Sequence, residues 1–138
     1  MSAMTKGASE SQILKLETRL NHKLPDGYRD FLGASNGGIP LRRRFRIPDC
    51  NGEALVDVFL GIDVPNDVLA WMDELSDDLP TSFIPIGFDP GGNAILMDVN
   101  CGEVFYWDSA RHFENSTDEE NTFPIGKSFT EFLASLEE

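Results

Sequence analysis

"LPDGYRDFLGASNGG", residues 24–38, sets a short amphipathic segment between a proline and two glycines. Pro25 halts the preceding chain and biases Leu24 away from helical dihedrals. Asp26 is a suitable N-cap, and Tyr28, Phe31 and Leu32 fall on one helical face at i, i+3 and i+4. Asn36-Gly37-Gly38 predicts the stop, because Asn and Gly reach the left-handed conformation that closes helices. So short a helix is marginal alone and persists only when one face is packed. The frame therefore serves shape: it sets the ends and direction of a core helix, and none of its residues is a candidate catalyst.

Toward the N-terminus, Ser9 and Gln12 form a capping box, and Ile13, Leu16 and Leu20 recur at helical spacing. A first helix is expected from about Ser9 to Asn21, after a flexible stretch over residues 1–8. From Ile39 onward the period changes to two. "IPLRRRFRIP", "EALVDVFLGID", "TSFIPIGFD", "NAILMDVN" and "EVFYWDS" read as five strands. Turns at Pro90-Gly91-Gly92-Asn93 and Asn100-Cys101-Gly102 join the last three into an antiparallel meander. "VPNDVLAWMDELSDD" reads as a third helix, with Val68, Leu69, Trp71, Met72 and Leu75 apolar. Ser128 and Glu131 make a second capping box ahead of a last helix that buries Phe129, Phe132, Leu133 and Leu136. "NSTDEEN", residues 115–121, is a polar loop. The expected fold is α+β: one domain over residues 1–138, with a central, mostly antiparallel sheet of about five to six strands and flanking helices.

The composition bounds the function. A chain of 138 residues with 41% hydrophobic and 25% charged residues can bury one core without disulfides. Cys50 and Cys101 have no metal-type spacing and read as free thiols in a reducing compartment. The first ten residues hold no signal-like apolar run, and no segment approaches a membrane span. A cytoplasmic protein is expected. The net charge of −13 is unevenly placed. Residues 1–46 hold nine basic and four acidic residues, net +5, while residues 47–138 hold two basic and twenty acidic, net −18. Such a field disfavours direct binding to nucleic acid or an anionic membrane and attracts a basic protein. Acidity that only keeps a small protein soluble is the alternative.

Few residues invite a chemical role. Asp89, Asp98 and Asp108 fall at strand ends beside turns, where Asp hydrogen-bonds local backbone, and a small acidic metal or catalytic site is the alternative reading. "DVNCGE" lacks the Asp or Asn that a calcium loop requires where Gly102 stands. His22 and His112 have no companion at metal-ligand spacing. "DPGGN" lacks the Lys-Ser/Thr of a phosphate loop. No enzyme activity, metal or cofactor is expected. In "RRRFRI", Arg42, Arg44 and Arg46 share one strand face and Arg43 shares the other with Phe45 and Ile47. Pairing with the chain's own acids or protection of a sheet edge is the preferred reading; a small anion or acidic-peptide site is the other. The acidic candidates for partner binding are Asp73, Glu74, Asp77 and Asp78 on and after the third helix, with Glu114, Asp118, Glu119 and Glu120 in the later loop. Trp71 is an aromatic anchor for a partner if exposed, and a core residue otherwise.

Three ordered blocks carry a family resemblance. Leu24, Pro25, Tyr28, Phe31, Leu32, Asn36, Gly37 and Gly38 resemble the opening signature of the SUKH superfamily, which includes the yeast SMI/KNR-type cell-wall regulators. "FIPIGFDPGGNAILMDVNCGEVFYWD" is similar to that family's second block, through Pro85, Gly87, Gly92, Asn93, Asp98, Gly102, Trp107 and Asp108. "SFTEFLASL" is like its closing helix. The resemblance spans roughly Ser9 to Leu136 and implies a mixed α/β binding domain rather than an enzyme. Many bacterial members are immunity proteins that neutralise toxins, often nucleases, and eukaryotic members act as regulatory scaffolds. The expectation is an immunity protein that occludes a basic toxin domain; the alternative is an intracellular regulatory or scaffold module. The stretch from Arg42 to Asp78 follows the shared pattern least.

Overall fold

The computed structural model describes residues 3–4, 7–47, 52–75, 82–107 and 122–137. α1 (Glu10–Leu20) begins at Ser9, whose hydroxyl accepts from the Gln12 backbone N–H at 3.2 Å while the Gln12 side chain accepts from Ser9 N at 2.9 Å. The capping box is complete, and Asn21, at φ 53°, closes the helix in the left-handed conformation. Ile13 and Leu16 are buried, as the spacing requires.

α2 (Asp26–Ala34) occupies the segment between Pro25 and the glycines, but its ends differ from the sequence reading. Pro25 is the N-cap, and no side chain caps the helix. Asp26 is the first helical residue instead, where its charge complements the N-terminal dipole. At the other end Ser35 is extended, and the positive φ values come later, at Gly37 (80°) and Gly38 (115°). Asn36-Gly37-Gly38 is therefore not the helix cap. The buried Asn36 amide reaches across the molecule: its Nδ2 donates to Ile62 O at 2.8 Å and its Oδ1 accepts from Ile62 N at 2.7 Å. A primary amide offers donor and acceptor side by side to one residue's backbone at any pH, as an ionised carboxylate cannot.

The strands in chain order are β1 (Ala3–Met4), β2 (Gly38–Ile39), β3 (Arg44–Ile47), β4 (Gly52–Leu55), β5 (Val58–Phe59), β6 (Phe83–Phe88), β7 (Ala94–Asp98), β8 (Val104–Trp107) and β9 (Thr122–Gly126). Seven form one sheet in the order β1-β2-β5-β6-β7-β8-β9, antiparallel at every step, and β3 pairs with β4 as a separate hairpin. The α+β reading and the β6-β7-β8 meander hold. Two predicted strands each divide in two. Pro40 follows β2 and has no N–H to extend a ladder. Between β4 and β5 the chain changes sheets, with Val56 N donating to Arg43 O and Asp57 N to Phe88 O. β1 lies within the stretch expected to be flexible, and Ala3 pairs with Ile39. β9 has no counterpart in the predicted strands, because Pro124 demotes the segment to a sheet edge, and an edge is where it sits.

The pleat divides the sheet's side chains between two faces. Ile84, Ile86, Ile95, Met97, Val104 and Tyr106 join a core with α1, α2 and α4 (Phe129–Ser135), whose N-cap Ser128 accepts from Glu131 N. Tyr28, Phe31, Phe59 and Phe129 meet there with ring centroids 4.9–6.3 Å apart. The Tyr28 hydroxyl is fully buried and finds no hydrogen-bond partner among the described residues. Burial pushes its pKa up, since the phenolate is disfavoured out of water. Tyr28→Phe is therefore expected to leave urea stability unchanged or to raise it by up to ~1 kcal/mol, because it deletes an unpaired buried hydroxyl. The sign with pH follows from the raised folded-state value. The contribution is complete below the unfolded tyrosine pKa of ~10 and declines above it. The phenylalanine variant's stability should fall less steeply there; equal slopes would show that Tyr28 is not dry.

Candidate functional site

The second face of the sheet holds the candidate site, and a β-bulge builds it. In the β6–β7 register Ile84 opposes Met97 and Pro85 opposes Leu96, but the next pairs are Gly87 with Ile95 and Phe88 with Ala94. Ile86 is the extra residue. Uninterrupted alternation would turn Phe88 toward the helix-covered core together with Ile84; the bulge re-aims it to the opposite face. There the register aligns Val58, Phe88, Ala94 and Trp107 in one row across β5, β6, β7 and β8. The small Ala94 separates two large rings, which leaves a trough rather than a filled layer.

α3 (Val68–Glu74) forms the wall of that trough. It is shorter than the predicted helix, and Asp67 caps it, with Oδ1 accepting from Leu69 N at 2.7 Å and Ala70 N at 3.2 Å. The loop ahead of the helix is held from three directions. Val68 N donates to Gly61 O at 2.8 Å, and Asn36 clasps Ile62. Lys15 lies 2.9 Å from Asp63 Oδ1 and Gln12 Nε2 3.2 Å from Asp63 Oδ2, and these two donors hold the Asp63 carboxyl below its usual range. The frame of residues 24–38 thus contributes to the site at a distance, by seating the loop that carries α3.

The result is a groove of about 410 Å³ lined by Trp71, Leu75, Phe88, Pro90, Gly92, Trp107 and Val58, with Asp57, Asn66 and Asp89 as its polar members. The Trp71 and Phe88 ring centroids are 4.7 Å apart at 57°. Trp71 is half-buried, so it is both a core neighbour and a groove wall. Asp89 is buried, and its carboxylate is fully engaged. Oδ1 accepts from Gly91 N and Asn93 N, and Oδ2 from the Tyr106 hydroxyl at 2.6 Å and Asn93 Nδ2 at 3.2 Å. Asp98 caps its own turn by accepting from Asn100 N at 3.0 Å. Both carboxylates bond local backbone, as turn aspartates do. Among the described residues no three His, Cys, Asp or Glu side chains gather as a metal site would require, and no helix is long and apolar enough to cross a membrane.

Asp73 and Glu74 are exposed on α3, and Asp73 pairs with Arg19. Asp77, Asp78, Asp108, His112, Glu114, Asp118, Glu119 and Glu120 lie outside the described residues. His22 is exposed, with its ring nitrogen 2.6 Å from the Lys23 carbonyl. Three of the four arginines pair internally: Arg44 with Glu53 and Glu137 at 3.4 Å each, Arg46 with Glu137 at 3.8 Å and Arg43 with Asp57 at 3.5 Å, while Arg42 lies in the bend ahead of β3 and so does not share a strand face with Arg44 and Arg46. Trp107, read from the sequence only as a structural signature residue, is a groove residue. Phe88 and Asp57 carried no sequence signal of their own, since their placement depends on the bulge and on the crossing between sheets.

Residues 7–135 match the SMI1 / KNR4 family (SUKH-1). The chain is also similar to the SPbeta prophage-derived uncharacterized protein YokK of Bacillus subtilis (strain 168), at 29% identity over 146 residues, covering 93% of this chain and 74% of that protein.

Proposed function

The chain belongs to the SMI1 / KNR4 family (SUKH-1), and from that premise we propose that it is a non-enzymatic protein-binding domain that neutralises a basic toxin domain by occluding it. The observation that carries the reading is a part-exposed aromatic groove on a chain whose residues 47–138 hold twenty acidic residues against two basic ones. Aromatic anchors supply much of the binding energy at protein interfaces, and a strong acidic field draws in a basic partner. Trp71, Asp73 and Glu74 share α3, so that helix is where such a partner first meets the protein.

Capture of a partner from the source organism, followed by stopped-flow association at rising salt, tests this. The expected outcome is one basic toxin-like domain, bound one to one, whose association slows by about tenfold or more as salt screens the field. Association equally fast at low and high salt removes the electrostatic part of the reading. Several housekeeping partners, with no rescue of cells from a toxin, replace it with the regulatory scaffold.

A further inference from the structure

We propose that the groove between Trp71 and Trp107 receives one arginine side chain of the protein partner, its guanidinium stacked on the half-buried Trp71 indole and drawn by Asp57. This deepens the reading of the chain as a protein-binding domain and rests on it. Arginine is favoured by three features of the groove. The first is shape. About 410 Å³ lies near the small end of ligand pockets, room for a side chain rather than a large cofactor. The second is the aromatic surface of Trp71 and Phe88, floored by the buried Trp107, because guanidinium stacks on aromatic faces more readily than ammonium does.

The third is charge. Asp57 and Asp89 are the ionisable liners, and no cationic side chain lines the groove among the described residues. Asp89 spends its hydrogen-bonding capacity on Gly91, Asn93 and Tyr106, yet still contributes negative potential. Asp57 is exposed, and its one ion pair among the described residues has Arg43 Nη2 3.5 Å from Oδ1, while Arg43 Nε is committed to Val56 O at 2.8 Å. An exposed pair that long contributes little, and among the described residues the second Asp57 oxygen accepts no hydrogen bond, so it remains for an incoming donor.

The chain's two tryptophans both line this groove, so tryptophan fluorescence reports on it alone. The probes are N-acetyl-Gly-Arg-Gly-amide and the same tripeptide with citrulline, which matches arginine's shape without its charge. The arginine peptide should shift the emission saturably in the millimolar range, and citrulline should bind about fivefold more weakly or worse. Asp57→Asn should bring arginine close to citrulline. Asp30→Asn on α2, which removes the same charge from the far side of the sheet, should change nothing. Equal binding of the two peptides, no saturable shift, or equal weakening by Asp30→Asn and Asp57→Asn overturns the anchor. These outcomes are separable from the fate of the toxin reading: a captured toxin that binds Trp71→Ala and Asp57→Asn as tightly as the natural chain removes the arginine site and leaves occlusion standing.

Discussion

Asn36→Asp is expected to lose about 3–5 kcal/mol of stability near neutral pH and to recover most of it in mild acid. The substitution preserves shape and one hydrogen bond, since a carboxylate oxygen still accepts from Ile62 N, which the amide now holds at 2.7 Å. What it removes is the Nδ2 donor 2.8 Å from Ile62 O. Two acceptors then face each other at a site where Asn36 is only 7% exposed, and one of them carries a buried charge. Protonation restores an O–H donor, so the folded variant favours the protonated acid and the new carboxyl titrates above its unfolded value. A raised folded-state value means a contribution present in acid and lost as pH rises. The gap between variant and natural chain should therefore narrow toward the ordinary carboxylate pKa of ~4 and widen above it. Urea midpoints for both proteins across that range decide the matter, and a pH-independent gap would mean that the Asn36 clasp is not buried as described. Because Ile62 belongs to the loop that seats α3, tryptophan emission should shift toward the red in the same variant at neutral pH.

This clasp also marks where the sequence was legible and where it was not. Ser9 and Gln12 act within one helix, so their spacing alone foretold the N-terminal cap of α1, and the helix ends near Asn21 as its periodicity predicted. The β6-β7-β8 meander was equally local, because each turn lies between the strands it joins. Asn36 was misread as part of a cap because its partner is 26 residues away, and nothing near it in sequence says so. The groove was hidden for a related reason. Its rings come from α3, β6 and β8, and Phe88 reaches them only because Ile86 is an extra residue in the register. Alternation read along a single strand cannot reveal a bulge, which exists only relative to a partner strand. The acidic imbalance, by contrast, is a property of composition and was readable at once.

Gly37→Ala is expected to destabilise the protein by about 4 kcal/mol or to abolish folding, whereas Gly92→Ala should lose only about 1 kcal/mol. Both glycines occupy the left-handed region, Gly37 at φ 80° and Gly92 at φ 87°, so both substitutions carry a similar dihedral penalty. They differ in what surrounds them. Among the described residues, chain neighbours aside, no atom lies within 4 Å of a Cβ placed at Gly92, on the hairpin between β6 and β7. A Cβ at Gly37 would stand 2.6 Å from Phe59 O and 2.8 Å from the Leu60 carbonyl group. Those are backbone atoms of the sheet and its continuation, and Leu60 N is tied to Ile86 O at 2.9 Å, so they cannot swing aside as a side-chain tip would. Relief requires the loop after α2 to withdraw from β5, and that withdrawal also strains the neighbouring Asn36–Ile62 clasp. Chemical denaturation of the two variants side by side separates dihedral strain from close approach. If Gly37→Ala proves as mild as Gly92→Ala, the loop does not press on β5, and the glycine there is needed only for its φ.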